Sequence, residues 1–200
     1  LALMCRSLGV DVWEVIDAAK TKPFGFMPFY PGPGLGGHCI PVDPFYLSWK
    51  ARQSGFESRF IELAGHVNAD MPRYVVERVT EALNSQARAV KGARIHLFGI
   101  AYKPDVSDVR ESPALDIAQL LEQRSAILSY SDPFVREVSY GSLSLTAVPA
   151  AEALSRGLDC AVITTHHRDV NYAAIVDNSP LVVDTRNALR GFHADHIYRL

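Results

Sequence analysis

Arg94-Ile95-His96-Leu97-Phe98-Gly99-Ile100-Ala101 is a short apolar run broken by a glycine, and downstream of it Ser112-Pro113 opens a pattern with Leu115, Ile117, Ala118, Leu120 and Leu121 on one side. Proline is tolerated in a helix's first turn because the N–H it lacks has no intrahelical partner there, and the apolar spacing is that of a helix with one buried face. The alternation continues with strands predicted at 126–131 and, more weakly, 143–146, a helix at 150–154, a strand at 160–164, a short helix at 172–176 and a strong strand at 181–184. Short apolar strands alternating with helices imply an α/β fold, a Rossmann-like parallel sheet covered on both faces. Ligands of such sheets bind beyond the carboxyl ends of the strands.

Upstream of the first strand the pattern is helical throughout, so Lys91-Gly92 is the natural boundary between a helical region, 1–91, and the sheet domain, 92–200. The span 58–89 keeps helical spacing through Phe60, Ile61, Leu63, Ala64, Val67, Val75, Val76, Val79 and Leu83, interrupted at Met71-Pro72. It reads either as one kinked helix or as two in succession. Leu1 to Leu8 reads as the tail of a helix stopped by Gly9, and Asp11 caps a second helix with Val12, Val15, Ile16 and Ala19 on its apolar side. Asp43 as N-cap and Pro44 in the first turn start another, which Gly55 ends.

The chain has 200 residues, 48% of them hydrophobic, and a formal net charge of −2. That is enough for one large or two small packed cores, and the charge offers no surface for nucleic acid or an anionic membrane. No apolar run reaches the roughly 18 to 20 residues of a membrane span, and no signal peptide is evident. The three cysteines, Cys5, Cys39 and Cys160, are widely spaced without a CxxC pair, which argues against a disulfide framework or a zinc site and fits a reducing cytoplasm. The chain begins at Leu1 inside a helical pattern, so it reads as the C-terminal part of a longer protein.

Two places attract chemistry. The first is Phe29-Tyr30-Pro31-Gly32-Pro33-Gly34-Leu35-Gly36-Gly37-His38-Cys39-Ile40-Pro41-Val42-Asp43-Pro44, where four glycines and two prolines run into a cysteine. Glycines let the backbone take positive φ and approach a ligand closely, while prolines limit the loop's entropy. Cys39 is then a nucleophile or a small buried hydrophobe, whereas Cys5 and Cys160, on apolar periodic segments, read as buried. Asp43 can cap a helix and also orient a water or accept a proton. His38, with no partner cluster, reads as an anchoring or substrate-contacting residue rather than a metal ligand.

The second place is the set of strand ends. Tyr102, Lys103, Pro104, Asp105, Asp108, Arg110, Glu111 and Ser112 follow the first strand, and Asp184, Thr185 and Arg186 follow the last. Gly99 stands alone, without GxGxxG, so a standard dinucleotide site is not expected there. Lys103 and Arg186 are either solvated charges or ligands of a phosphate. Asp105, Asp108 and Glu111 read as a solvated face, and His166-His167 as a polar strand end.

Three ordered motifs then carry a resemblance. Gly36-Gly37-His38-Cys39-Ile40-Pro41-Val42-Asp43, Gly99-Ile100-Ala101-Tyr102-Lys103-Pro104 with Val109-Arg110-Glu111-Ser112-Pro113, and Ser131-Asp132-Pro133 resemble the C-terminal half of the UDP-glucose/GDP-mannose dehydrogenases. The likeness covers essentially the whole chain. It implies an NAD-dependent oxidation of a nucleotide sugar at C6, in which an aldehyde is trapped by the cysteine as a thiohemiacetal, oxidised again to a thioester, and hydrolysed. It also implies that two NAD are reduced per sugar. Under that resemblance Cys39 is the nucleophile and Asp43 positions water. Tyr30, Pro31, Gly32, Gly34, Leu35, Gly36 and His38 lie along the UDP-sugar, Tyr102, Lys103 and Arg186 contact it, and Arg110 reaches NAD.

Val42 stands where UDP-glucose 6-dehydrogenases usually carry lysine, in a C-x-P-K-D pattern, and GHCIPVDPFYLSWKA looks like the branch acting on UDP-N-acetylhexosamines. UDP-GlcNAc is therefore the favoured substrate, UDP-ManNAc the second and UDP-glucose the third. The family's N-terminal NAD-binding domain has no counterpart in these residues, so the chain is expected to be inactive alone. A homodimer through the central helix is also implied, with 58–89 and Leu1 to Leu8 at the interface. The competing readings are a nucleotide-sugar-binding and dimerisation module without chemistry, and an unrelated regulatory α/β protein.

Overall fold

A computed structural model describes residues 1–200. Three short helices, α1 (Ala2–Ser7), α2 (Val12–Ala19) and α3 (Asp43–Gln53), precede the long helix α4 (Arg59–Ser85). The remainder is β1 (Arg94–Phe98), α5 (Pro113–Gln123), β2 (Ile127–Ser131), β3 (Glu137–Tyr140), β4 (Leu143–Thr146), α6 (Ala150–Ser155), β5 (Cys160–Ile163), α7 (Tyr172–Asn178), β6 (Val182–Asp184) and β7 (Ile197–Arg199).

Five strands form one parallel sheet in the order β2-β1-β5-β6-β7. Its direction of winding reverses between β1 and β5, where Ile95 pairs with Leu128 on one side and Cys160 on the other. In an open α/β sheet that reversal leaves a crevice at the strands' carboxyl ends. Successive side chains of a strand point to opposite faces. Ile95 and Leu97 accordingly enter the larger core with Val162 and Val183, while Phe98 joins Ala161, Ile163 and Val182 in the smaller core beneath α7.

The larger core is closed by α5 and by only half of α4. Every buried residue of α4 lies from Met71 onward, whereas Phe60, Leu63 and Val67 are exposed. The helix is continuous through Pro72. Pro72 has no N–H for the carbonyl four residues before it, that of Asn68, and this carbonyl faces the glycine loop: a methyl on Gly34 would stand 3.4 Å from it. The first half of α4 instead carries α3, through Ser48 Oγ donating to Glu62 at 2.9 Å and the ring of Phe45 lying over Gly65, where no β-carbon fits.

Several local expectations shift. Asp43 is not an N-cap: it is the first residue of α3, Val42 occupies the cap, and no side chain caps the helix. Ser112 does stand at the N-cap of α5, but its hydroxyl donates to the Ile100 carbonyl at 2.7 Å, tying the helix entry to the turn after β1. Residues 143–146 form a strand outside the main sheet, paired antiparallel with β3, and neither β3 nor β7 was expected. Asp105 and Asp108 are not merely solvated: Asp105 accepts the Arg168 amide at 3.0 Å, and Asp108 grips Arg110.

Candidate functional site

The glycine loop is laid against the turn between β1 and α5, and the glycines are what permit the approach. A β-carbon on Gly36 would stand 2.6 Å from Tyr102 Cβ and 2.8 Å from the Glu111 carbonyl oxygen. Gly37, at φ +89°, packs on the Tyr102 ring and donates its N–H to the Arg110 carbonyl at 2.9 Å. That conformation is one that side-chain-bearing residues seldom adopt. At the other end of the loop, Gly32 rests on the guanidinium of Arg186.

This seating delivers the next two residues to the surface. Cys39 is exposed, with its Sγ 3.5 Å from Nδ1 and 3.6 Å from Nε2 of His38. Its carbonyl accepts the amides of Val42 at 3.1 Å and Asp43 at 2.8 Å, so the thiol sits one turn before α3. The Asp43 side chain is exposed and spends nothing on capping, which leaves it available to a water. Arg110 lies near enough for Cys39 and Tyr102 to act on it electrostatically, and it forms a two-pronged pair with Asp108 at 2.6–3.0 Å. Hydrogen bonds from the Arg110 side chain and backbone hold the Asp108 carboxyl down to about 2.

Arg186 is the half-buried cation of the site. Its amide donates to Asp184 at 2.9 Å and its Nε to the Thr164 carbonyl at 2.9 Å, which aims the guanidinium toward the glycine loop. Burial pulls its pKa down to about 10. A cavity of about 370 Å³ lies here, lined by Tyr30, Pro31, Gly32, Gly34, Leu35 and Arg186 together with α1, α2 and Met71 of α4. Across the loop is a larger cavity of about 520 Å³, walled by Ile40, Phe45, Phe60 and Pro113, with Glu111 and Asp116 as its only charged residues. It contains no cation, so the smaller cavity is the better place for an anionic ligand.

Of the expected residues, Tyr30, Pro31, Gly32, Gly34, Leu35 and Arg186 therefore share one cavity, while Gly36, His38, Cys39, Tyr102 and Arg110 meet along the seated loop. Lys103 joins neither group directly: it is exposed, with its ammonium 5.3 Å from the Tyr102 ring centre. No cluster of three His, Cys, Asp or Glu side chains is placed to hold a metal ion.

The profile described as "UDP-glucose/GDP-mannose dehydrogenase family, central domain" matches residues 1–70, and that described as "UDP-glucose/GDP-mannose dehydrogenase family, UDP binding domain" matches residues 96–191. The chain belongs to the UDP-glucose/GDP-mannose dehydrogenase family. It is 34% identical to an NDP-N-acetyl-D-galactosaminuronic acid dehydrogenase of Ralstonia nicotianae, over 93% of this chain and 42% of that protein. To a UDP-N-acetyl-D-mannosamine dehydrogenase of Methanococcus maripaludis it is 33% identical, over 94% and 43% of the two chains. A solved UDP-D-ManNAc dehydrogenase from Pyrococcus horikoshii superposes with a TM-score of 0.85 at 29% identity, covering 99% of this chain and 46% of the other. The chain thus spans less than half the length of the curated relatives it matches.

Members of this family are NAD-dependent, but the β1 turn of this sheet does not suit a dinucleotide. Its first free amides, Ile100 and Ala101, are both taken by Asp132 Oδ2, at 2.7 and 3.1 Å. In a dinucleotide site such amides would face the pyrophosphate. Burial pushes the Asp132 carboxyl up, but donors from His167, Ile100, Phe134 and Ala101 outweigh it, so the group stays ionised below its ordinary range.

Three residues, Trp13, Thr164 and Thr165, escaped the sequence reading, and His167 departs from it. Trp13 stacks on Tyr30 at 6.0 Å with an interplanar angle of 14°. Thr164 and Thr165 donate their hydroxyls to the Gly99 and Ala101 carbonyls, joining the ends of β5 and β1 across the crevice. His167 is completely buried rather than a polar strand end. The apolar spacing around Trp13 advertises core, not a ring platform, and nothing local distinguishes a strand-end threonine that grips its neighbour.

Proposed function

We propose that residues 1–200 carry the thiol and the nucleotide-sugar site of a dehydrogenase that oxidises a UDP-N-acetylhexosamine at C6 to the uronic acid. The observation that carries this reading is the seating of the glycine loop, which places a half-buried cation, Arg186, under one end and an exposed thiol, Cys39, at the other. A nucleotide sugar is a molecule of that form, anionic in the middle and reactive at the far end of the sugar. In this reading Arg186 and the loop hold the diphosphate, Tyr30 to Gly36 line the sugar and nucleotide, and Tyr102, Lys103 and His38 add contacts. The Cys39 sulfur adds to the C6 aldehyde and keeps the carbon bound until Asp43 orients the water that releases it. NAD, when bound, supplies the hydride acceptor for both oxidations. Among the residues described here we assign it one contact, Arg110.

The named relatives act on 2-acetamido sugars, which supports an N-acetylhexosamine. Val42 argues against UDP-glucose and the GHCIPVDPFYLSWKA stretch favours UDP-GlcNAc, while the relatives' names point to galacto and manno sugars. We also assign 1–91 to the thiol loop and association, and 92–200 to UDP. A homodimer is supported by the exposed large apolar side chains: all but Ile127, Phe134 and Tyr140 lie within the first 67 residues.

Thiol labelling of this chain tests the proposal, because Cys5 and Cys160 are buried and Cys39 alone is open to reagent. UDP-GlcNAc or UDP-ManNAc should slow labelling at Cys39 in a saturable way, the true epimer at lower concentration and UDP-glucose least. In the complete enzyme, Cys39→Ser should stop NADH production. Labelling that no UDP-sugar slows, or full turnover by Cys39→Ser, would overturn the reading.

A further inference from the structure

The segment that bears Tyr102 and Lys103 is held at its two ends by a pair of hydrogen-bonded side chains shut off from solvent, Asp132 and His167. His167 Nδ1 accepts the N–H of Asp105 at 3.0 Å, so the ring proton sits on Nε2, which faces Asp132 Oδ2 at 3.0 Å. That same oxygen accepts the amides of Ile100 and Ala101, while Oδ1 accepts those of Phe134 at 2.8 Å and Val135 at 3.1 Å. Both His167 and the Asp132 side chain are fully excluded from solvent. Residues 100–105 are therefore slung between Asp132 and His167, and Asp105 is kept at φ +60°, in the left-handed region.

What the sling supports is the floor of the site. The Tyr102 β-carbon and ring are the surfaces on which Gly36 and Gly37 close. The strand end leading to His167 also reaches the cation, since the Thr164 carbonyl accepts Arg186 Nε and the Thr165 hydroxyl donates to Ala101. We infer that His167, acting through Asp132 and the Asp105 amide, is a positioning residue that sets the Tyr102 platform and thereby the affinity for the UDP moiety. The inference rests on the nucleotide-sugar reading above. A buried polar pair of this kind specifies one geometry when every member is satisfied and loses it when one partner goes.

The test is calorimetric titration of this chain with UDP. His167→Phe fills the space but bonds neither partner, and His167→Asn reaches one partner at most. Each is expected to weaken UDP binding about tenfold. His167→Gln, with a carbonyl for the Asp105 amide and an amide for Asp132, is expected to stay within about threefold of the parent. His96→Phe supplies the control, because that buried histidine bonds only Ser129 and Ser131 away from the loop. It should lower stability without moving the UDP affinity. Unchanged affinity in folded His167→Phe or His167→Asn, failure of Gln to rescue, or an equal loss in His96→Phe would overturn the positioning role alone. A parent chain that does not bind UDP would overturn the nucleotide-sugar reading and this inference with it.

Discussion

Gly36→Ala isolates the seating of the thiol loop from every other property of the loop. Gly36 does not occupy the left-handed region, so alanine brings no backbone strain there, and the perturbation is one methyl group. That methyl would meet Tyr102 Cβ at 2.6 Å and the Glu111 carbonyl at 2.8 Å, whereas ordinary contact begins near 3.4 Å. Neither obstacle is the far end of a flexible chain, so loop and platform must part by roughly 0.8 Å, at an overpacking cost of about 1–3 kcal/mol. A displacement of about 1 Å at a reacting group can cost about 100-fold in rate. The expected result is therefore a fall in turnover of about that size, read as NADH production by the complete enzyme, with a matching drop in urea stability. Gly191→Ala, where a methyl meets nothing within 4 Å, is the control. If Gly36→Ala matches Gly191→Ala in both stability and turnover, the loop is not seated as described and the reasoning fails.

Two further outcomes follow from burial. Arg186 is half-buried beneath the loop and Lys103 is exposed, so Arg186→Ala should weaken UDP binding by about 10- to 100-fold and Lys103→Ala by less than about fivefold, because charge-assisted bonds shielded from water are worth more than solvated ones. Titration of the two variants in the reverse order of loss would contradict this. Burial also pulls His96 down to about 4, from an ordinary value of 6.5. The unfolded chain then takes up the proton first as pH falls, so this contribution is whole above about 6.5 and is lost on the way to 4, a change of roughly 3 kcal/mol in all. Urea unfolding of the parent and His96→Gln at pH 7 and pH 4.5 should show a gap that narrows or inverts in acid; a gap independent of pH refutes it.

The elements whose local chemistry and packing agree were legible in the sequence. β1, β5 and β6 are buried on both faces and so read as continuous apolar runs, and α5 announces itself with proline at its start and one apolar side. β3 escaped because only Val138 of its four residues is buried, and β7 because an edge strand three residues long has little pattern to show. Asp43 misled by one position, since a carboxylate before proline signals a helix start without saying whether it caps. Cys39, Arg186 and the glycines could be named from motif and strand-end position, but their mutual placement could not. That placement depends on Tyr102 meeting Gly36, a contact between segments that share no sequence signal.

The helix α4 explains how such distant segments come to share one site. Its second half is locked into the sheet core by Val75, Val76, Val79 and Leu83, and its first half holds α3, whose start is fixed to Cys39 through the Asp43 amide. Pro72 lies where the two halves meet, and the carbonyl it leaves free faces Gly34 at the middle of the loop. The thiol is therefore fixed to the sheet twice, directly through Tyr102 and Arg110 and indirectly through the helix. A loop held at two points on a single rigid body shifts less when one contact loosens than when both do. Hence a substitution in the turn after β1 should disturb Cys39 more when α4 is also weakened at Gly65, where the Phe45 ring leaves no room for a side chain, than when that helix is intact.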